Sequence, residues 1–148
     1  MDQIDEKILS LLAENARMPL KKIAEQVFLS PPAVATRIER LERRGVILGY
    51  RAVVSPEKLG RRVMAFVHVV IQPEHQSAFA SFARKTPEVA ACYHVTGPYS
   101  MLLQVCCADT AQLDALVTQI QKFGTTQTQV VFSTLKDGWN GRAGEPDQ

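Results

Sequence analysis

The stretch Leu29 to Ile47, LSPPAVATRIERLERRGVI, decides how the N-terminal part of the chain is built. Ser30 can cap the free N–H groups of a helix, and Pro31 suits the first helical position, where no N–H is needed. Gly45 marks the end. At about 100° per residue, Val34, Ile38 and Leu41 make one apolar stripe. Ala33, Arg37, Arg40 and Arg44 line the flank beside it, and Glu39 and Glu42 project from the opposite flank. A helix with one buried stripe, one basic side and its acids turned away can dock on a protein core and present arginines to a polyanion such as DNA. The competing reading is that the arginines are ordinary surface charges pairing with Glu39 or Glu42, although such pairing has no need to segregate the signs.

Working upstream, Ile4, Ile8, Leu11 and Leu12 predict a helix from about Asp2 to Glu14, and Leu20, Ile23, Ala24 and Val27 a short second one. With the capped helix these make a helix-turn-helix. Downstream, VILGYRAVV is rich in β-branched and aromatic residues and predicts an extended segment, either a wing or a linker strand. SPEKLGRR, with Pro56, Gly60 and three basic residues, separates two compositional regimes. The division is therefore residues 1–50 for the helical domain, 51–62 for a linker, 63–137 for a second domain and 138–148 for a polar tail, with Trp139 a possible anchor.

The second domain alternates between strand and helix. VMAFVHVVIQ, VAACYHVTG, MLLQVCCA and TQTQVVFSTL read as strands, and PEHQSAFASFARKTP and the Asp109-capped DTAQLDALVTQIQKF as helices. The order βαββαβ predicts a ferredoxin-like split βαβ domain, which makes the whole chain α+β: a winged helix-turn-helix followed by a ferredoxin-like sheet. Leu113, Leu116, Val117 and Ile120 place the last helix on the sheet. The other sheet face is then uncovered, and its apolar residues predict a homodimer or larger assembly.

Composition agrees. The chain has 148 residues, 46% of them hydrophobic, enough to build a core. Its net charge is only +2, but residues 1–62 hold 12 Lys/Arg against 8 Asp/Glu, whereas residues 63–148 hold 5 against 7. The basic half is the half with the sorted helix, a hint of nucleic-acid contact. No apolar run approaches the roughly 20 residues needed to span a bilayer, and the acidic start lacks the features of a signal peptide, so a cytoplasmic location is expected. Cys92, Cys106 and Cys107 lack CxxC spacing and predict neither disulfides nor a zinc site. Cys92, His94 and His68 could meet on adjacent strands, but no fourth ligand presents itself, and no metal or cofactor is expected. No Ser-His-Asp or Cys-His arrangement or phosphate-binding glycine loop can be read, which argues against an enzyme.

Four stretches, IDEKILSLLAENAR, LKKIAEQVFLSPPAVATRIERLERRGVI, YRAVVSPEKLG and VTGPYSMLLQV, occur in this order across residues 2–137. Together they resemble the leucine-responsive and asparagine-regulator (Lrp/AsnC) family of transcription factors. The resemblance implies a winged helix-turn-helix that binds double-stranded DNA and a C-terminal domain that dimerises, assembles further and often senses an amino acid. A helix N-terminus in the major groove brings Ser30, Pro32, Ala33, Thr36 and Arg37 towards base edges, with Arg37 the leading base reader. Arg40, Arg44 and Lys22 would then anchor to phosphates.

Two positions depart from the family pattern. Phe28 stands where members usually carry glycine, so a left-handed backbone there would be strained, unless the turn is altered or Phe28 packs against the first helix. In the hairpin, the family's glycine, two residues and aspartate become Gly97, Pro98, Tyr99 and Ser100. A serine cannot neutralise an ammonium group, and Pro98 removes a backbone donor. Thr96, Gly97, Tyr99 and Ser100, with Thr126 and Thr128 from the last strand, form the expected effector pocket; the competing reading makes VTGPYS merely a tight turn.

Overall fold

The computed structural model describes residues 1–135, which divide between two compact units, Met1–Val53 together with Leu135, and Val54–Thr134. The expected tail, with Trp139, lies outside the described residues. The first unit contains three helices: α1 (Gln3–Glu14), α2 (Leu20–Val27) and α3 (Pro31–Arg43). Asp2 caps α1 through a reciprocal box: its carboxylate accepts from the Asp5 N–H at 2.8 Å, and the Asp5 carboxylate accepts from the Asp2 N–H at 3.3 Å. Ile8, Leu11, Ile23, Ala24, Val27 and Val34 form the core, and Ile4, Leu12, Met18, Leu29 and Ile38 pack around it. Beyond α3, Gly45 takes φ 66° and lets the Val46 N–H reach back to the Leu41 carbonyl at 2.9 Å, which stops the helix.

Residues 46–54, expected to be extended as a wing or a linker strand, belong to no strand of this chain, and Leu48, Tyr50, Val53 and Val54 are exposed. The Tyr50 hydroxyl instead donates to Glu42 Oε1 at 2.8 Å. Burial first, and Glu42 second, push its pKa up to about 12.

In the second unit, β1 (Val63–Ile71) runs through a short 3-10 turn (Pro73–His75) into α4 (Gln76–Lys85). Then come β2 (Val89–His94), β3 (Met101–Cys107), α5 (Thr110–Ile120) and β4 (Gly124–Val130). The sheet order is β2-β3-β1-β4 and every pair is antiparallel, so the expected βαββαβ domain is present. Alternation along β1 sends Ala65, Val67, Val69 and Ile71 into a core with Phe79, Leu103, Val105, Leu113, Leu116 and Ile120. Gly124 closes the β1–β4 edge where a Cβ would lie 1.8 Å from the Val70 carbonyl oxygen. The opposite face carries the half-buried Met64, Phe66, Val70 and Leu102 together with His68 and Gln127.

Candidate nucleic-acid interface and effector site

Helix α3 is capped as its sequence predicts: Ser30 Oγ accepts from the Ala33 N–H at 3.4 Å. Its buried residues are Val34 and Leu41, so the face turned fully to solvent is the one opposite them, carrying Pro32, Thr36, Glu39 and Arg43. Thr36 Oγ1 donates to the Pro32 carbonyl at 3.1 Å. Lys22, Ser30, Arg40 and Arg44 are also exposed, and Ala33 is half-buried.

Arg37, the expected base reader, is half-buried and engaged within the unit. Its Nη1 donates to Asp2 Oδ2 at 2.7 Å and to Asp5 Oδ1 at 2.8 Å. Arg40 Nη2 donates to both oxygens of the same Asp5, at 3.1 and 2.9 Å. Asp5 is buried, with 1% of its surface exposed, and a buried carboxylate needs such partners. The basic flank of α3 is thus partly a clamp on the start of α1. Burial acts to raise the Asp5 pKa, but the hydrogen bond from Arg37, the bond from the Asp2 N–H and the charge of Arg40 outweigh it and hold the carboxyl below its ordinary range. The hydrogen bond from Arg37 lowers Asp2 in the same way. Sequence reasoning missed both the clamp and Arg43. The spacing of Asp2 and Asp5 on one face of α1 signalled the first, and the position of Arg43 opposite the apolar stripe signalled the second.

Phe28 retains the conformation a glycine would take. Its φ of 56° and ψ of 43° are left-handed, and its N–H bonds the Ala24 carbonyl to close α2. It does not pack against α1; it is 92% exposed.

The hairpin also differs from expectation. The Ser100 hydroxyl accepts from the Ile71 N–H at 2.9 Å and donates to the Val69 carbonyl at 3.3 Å, so it serves the end of β1. Tyr99 lies over the face away from the helices: its ring is 5.1 Å from that of His68, and its hydroxyl donates to Gln127 Oε1 at 2.6 Å. Thr126 and Thr128 pair with Val69 and Val67, whose side chains enter the core on the other face. The six expected effector residues therefore do not converge within one chain: Thr126 and Thr128 share the helix-covered face of β4, whereas Tyr99 lies over the opposite face. Thr126 lines an open cavity of about 540 Å³ with Gln72, His75, Gln121 and Lys122, and its hydroxyl accepts from Gln121 Nε2 at 3.2 Å. Thr96 and Gly97, the latter at φ 109°, form the exposed hairpin turn.

The Cys92, His94 and His68 cluster does not assemble either. Strand β3 separates β1 from β2, and His68 pairs with Leu102 whereas His94 pairs with Met101, which puts the imidazoles on opposite faces. No metal-binding group of His, Cys, Asp and Glu occurs among the described residues.

Residues 1–42 match the AsnC-type helix-turn-helix domain, and residues 64–139 match the Lrp/AsnC ligand binding domain. The chain belongs to the Lrp/AsnC family. It is 31% identical over 140 residues to the HTH-type transcriptional regulator FL11 of Pyrococcus furiosus, covering 93% of each chain. It is 33% identical over 144 residues to the proline dehydrogenase transcriptional activator of Rhizobium radiobacter, covering 93% of this chain and 92% of that one. A transcriptional regulator of Neisseria meningitidis, solved in complex with L-methionine, superposes with a TM-score of 0.88 at 31% identity, covering 93% of each chain. As in these Lrp/AsnC proteins, a helical N-terminal unit precedes an antiparallel sheet; among the described residues no helix is long and apolar enough to cross a membrane.

Proposed function

We propose that this chain is a cytoplasmic, sequence-specific DNA-binding transcriptional regulator that works as a homodimer or higher oligomer and responds to an amino acid. The observation that carries the reading is the Ser30-capped α3, clamped to α1 through Asp5 and presenting Pro32, Thr36 and Arg43 outward. In this reading the exposed Ser30, Pro32 and Thr36 meet base edges, and the exposed Lys22, Arg40, Arg43 and Arg44 meet phosphates. Arg37 contributes by holding the helix in place. The half-buried apolar face of the sheet, with Met64, Phe66, Val70 and Leu102, supports pairing of two copies. Two recognition helices related by a two-fold axis imply a palindromic operator with half-sites about one helical turn, or a multiple, apart.

The amino-acid effector is supported by the methionine complex of the Neisseria relative. With Ser100 occupied at the end of β1, an ammonium group would need acceptors other than the family aspartate. No cofactor, metal or catalytic step enters this reading.

Selection of operators from a randomised duplex pool, followed by affinity measurements across salt concentrations, tests the proposal. A palindromic consensus bound with a steep inverse salt dependence is expected, since neutralised phosphates release counterions. A chain that enriches no sequence and binds no duplex at low salt refutes it. Thermal shift against each amino acid at millimolar concentration tests the effector.

A further inference from the structure

Phe28 is the one non-glycine residue at positive φ among the described residues. Its ring contributes nothing to the fold: it is 92% exposed, whereas the core of its unit is complete without it. The left-handed backbone closes α2 through the Ala24 carbonyl, a task a glycine performs without Cβ strain. A large apolar side chain kept in solvent at a backbone position that penalises it has no structural rationale, and such strained sites cluster where chains bind their partners.

Its place in the fold indicates the partner. Only Leu29 separates Phe28 from Ser30, the cap of α3, so at most about 7 Å of chain lies between its Cα and the helix end read as entering the major groove. Lys21 and Lys22 are exposed on the adjoining helix and supply cations for a phosphate backbone. We propose that Phe28 is a DNA contact, laying its ring against deoxyribose and thymine methyl groups at the edge of the groove. It adds an apolar, salt-independent increment to binding that glycine at this position cannot supply. This inference rests on the DNA-binding reading above.

The test uses the full chain and the duplex that the wild type selects from a randomised pool. Phe28→Gly removes the ring and the strain together, and Phe28→Ala removes the ring alone. Both are expected to bind roughly fivefold more weakly, which is about 1 kcal/mol at 1.4 kcal/mol per decade. The slope of log affinity against log salt should not change, because no phosphate contact is lost. Phe28→Gly should melt no lower than the wild type, which separates a contact from a folding role. Affinities equal to that of the wild type overturn the contact, as does a change in oligomeric state that accounts for any loss. Failure of the wild type to bind any duplex refutes the regulator reading instead.

Discussion

Replacing Ser100 with alanine tests whether its hydroxyl serves the fold. The hydroxyl is the side-chain acceptor for the Ile71 N–H at 2.9 Å. Alanine leaves that half-buried donor without it, whereas the main-chain bond from the Ser100 N–H to the Val69 carbonyl at 3.0 Å survives. An unsatisfied buried donor costs about 1–3 kcal/mol, and partial exposure places this one at about 1–2 kcal/mol. A unit of this size loses about 4–8 °C of melting temperature per kcal/mol, so the transition of the C-terminal unit should fall by roughly 5–15 °C. Calorimetry on the full chain, with both proteins at equal concentration because assembly shifts the midpoint, reads this directly. Ser100→Thr keeps the hydroxyl and should recover most of the loss. Ser100→Asp can accept from the Ile71 N–H but cannot donate to the Val69 carbonyl, so it should fall between. A shift below 2 °C for Ser100→Ala, against the roughly 5–15 °C expected, would show that the hydroxyl is not needed at the end of β1 and would return it to the list of effector groups.

Two further outcomes follow from the clamp between α1 and α3. Because Asp2 and Asp5 titrate below the ordinary carboxylate range in the folded state, they contribute stability that is present above the unfolded value of about 3.9 and is lost as pH falls through the folded values. Asp5→Asn should therefore destabilise the helical unit at neutral pH, with the gap to wild type narrowing in denaturant melts as pH drops below about 4; a gap independent of pH contradicts the clamp. Arg43→Ala should weaken operator binding and flatten its salt slope by about one unit without lowering the melting temperature, whereas Arg37→Ala should lower the melting temperature as well. Equal melting temperatures for Arg37→Ala and wild type would restore Arg37 to the free DNA-facing residues.

The sequence made the secondary structure legible because its elements announce themselves locally. Ser30 and Asp109 cap their helices as read, and the period-2 alternation of β1 gives its buried face. The pairing of the basic flank of α3 with Asp2 and Asp5 lies outside any local window. Arg37 and Asp5 are 32 positions apart, and nothing in the spacing of α3 shows that its flank meets a buried acid. The same limit applies to the effector residues. Thr126 and Tyr99 both belong to the hairpin end of the sheet in sequence order, but only the pairing register assigns them to opposite faces. Strand propensity in residues 46–54 likewise does not say which segment would pair with them.

Ser100 and Phe28 differ in how the fold accommodates them. The Ser100 hydroxyl accepts from the Ile71 N–H and donates to the Val69 carbonyl at the end of β1. At position 28 no contact offsets the strain. A left-handed non-glycine residue costs about 1–2 kcal/mol, and with the ring 92% exposed no burial offsets that cost within the unit. An uncompensated penalty beside the capped start of α3 fits the proposed DNA contact at Phe28.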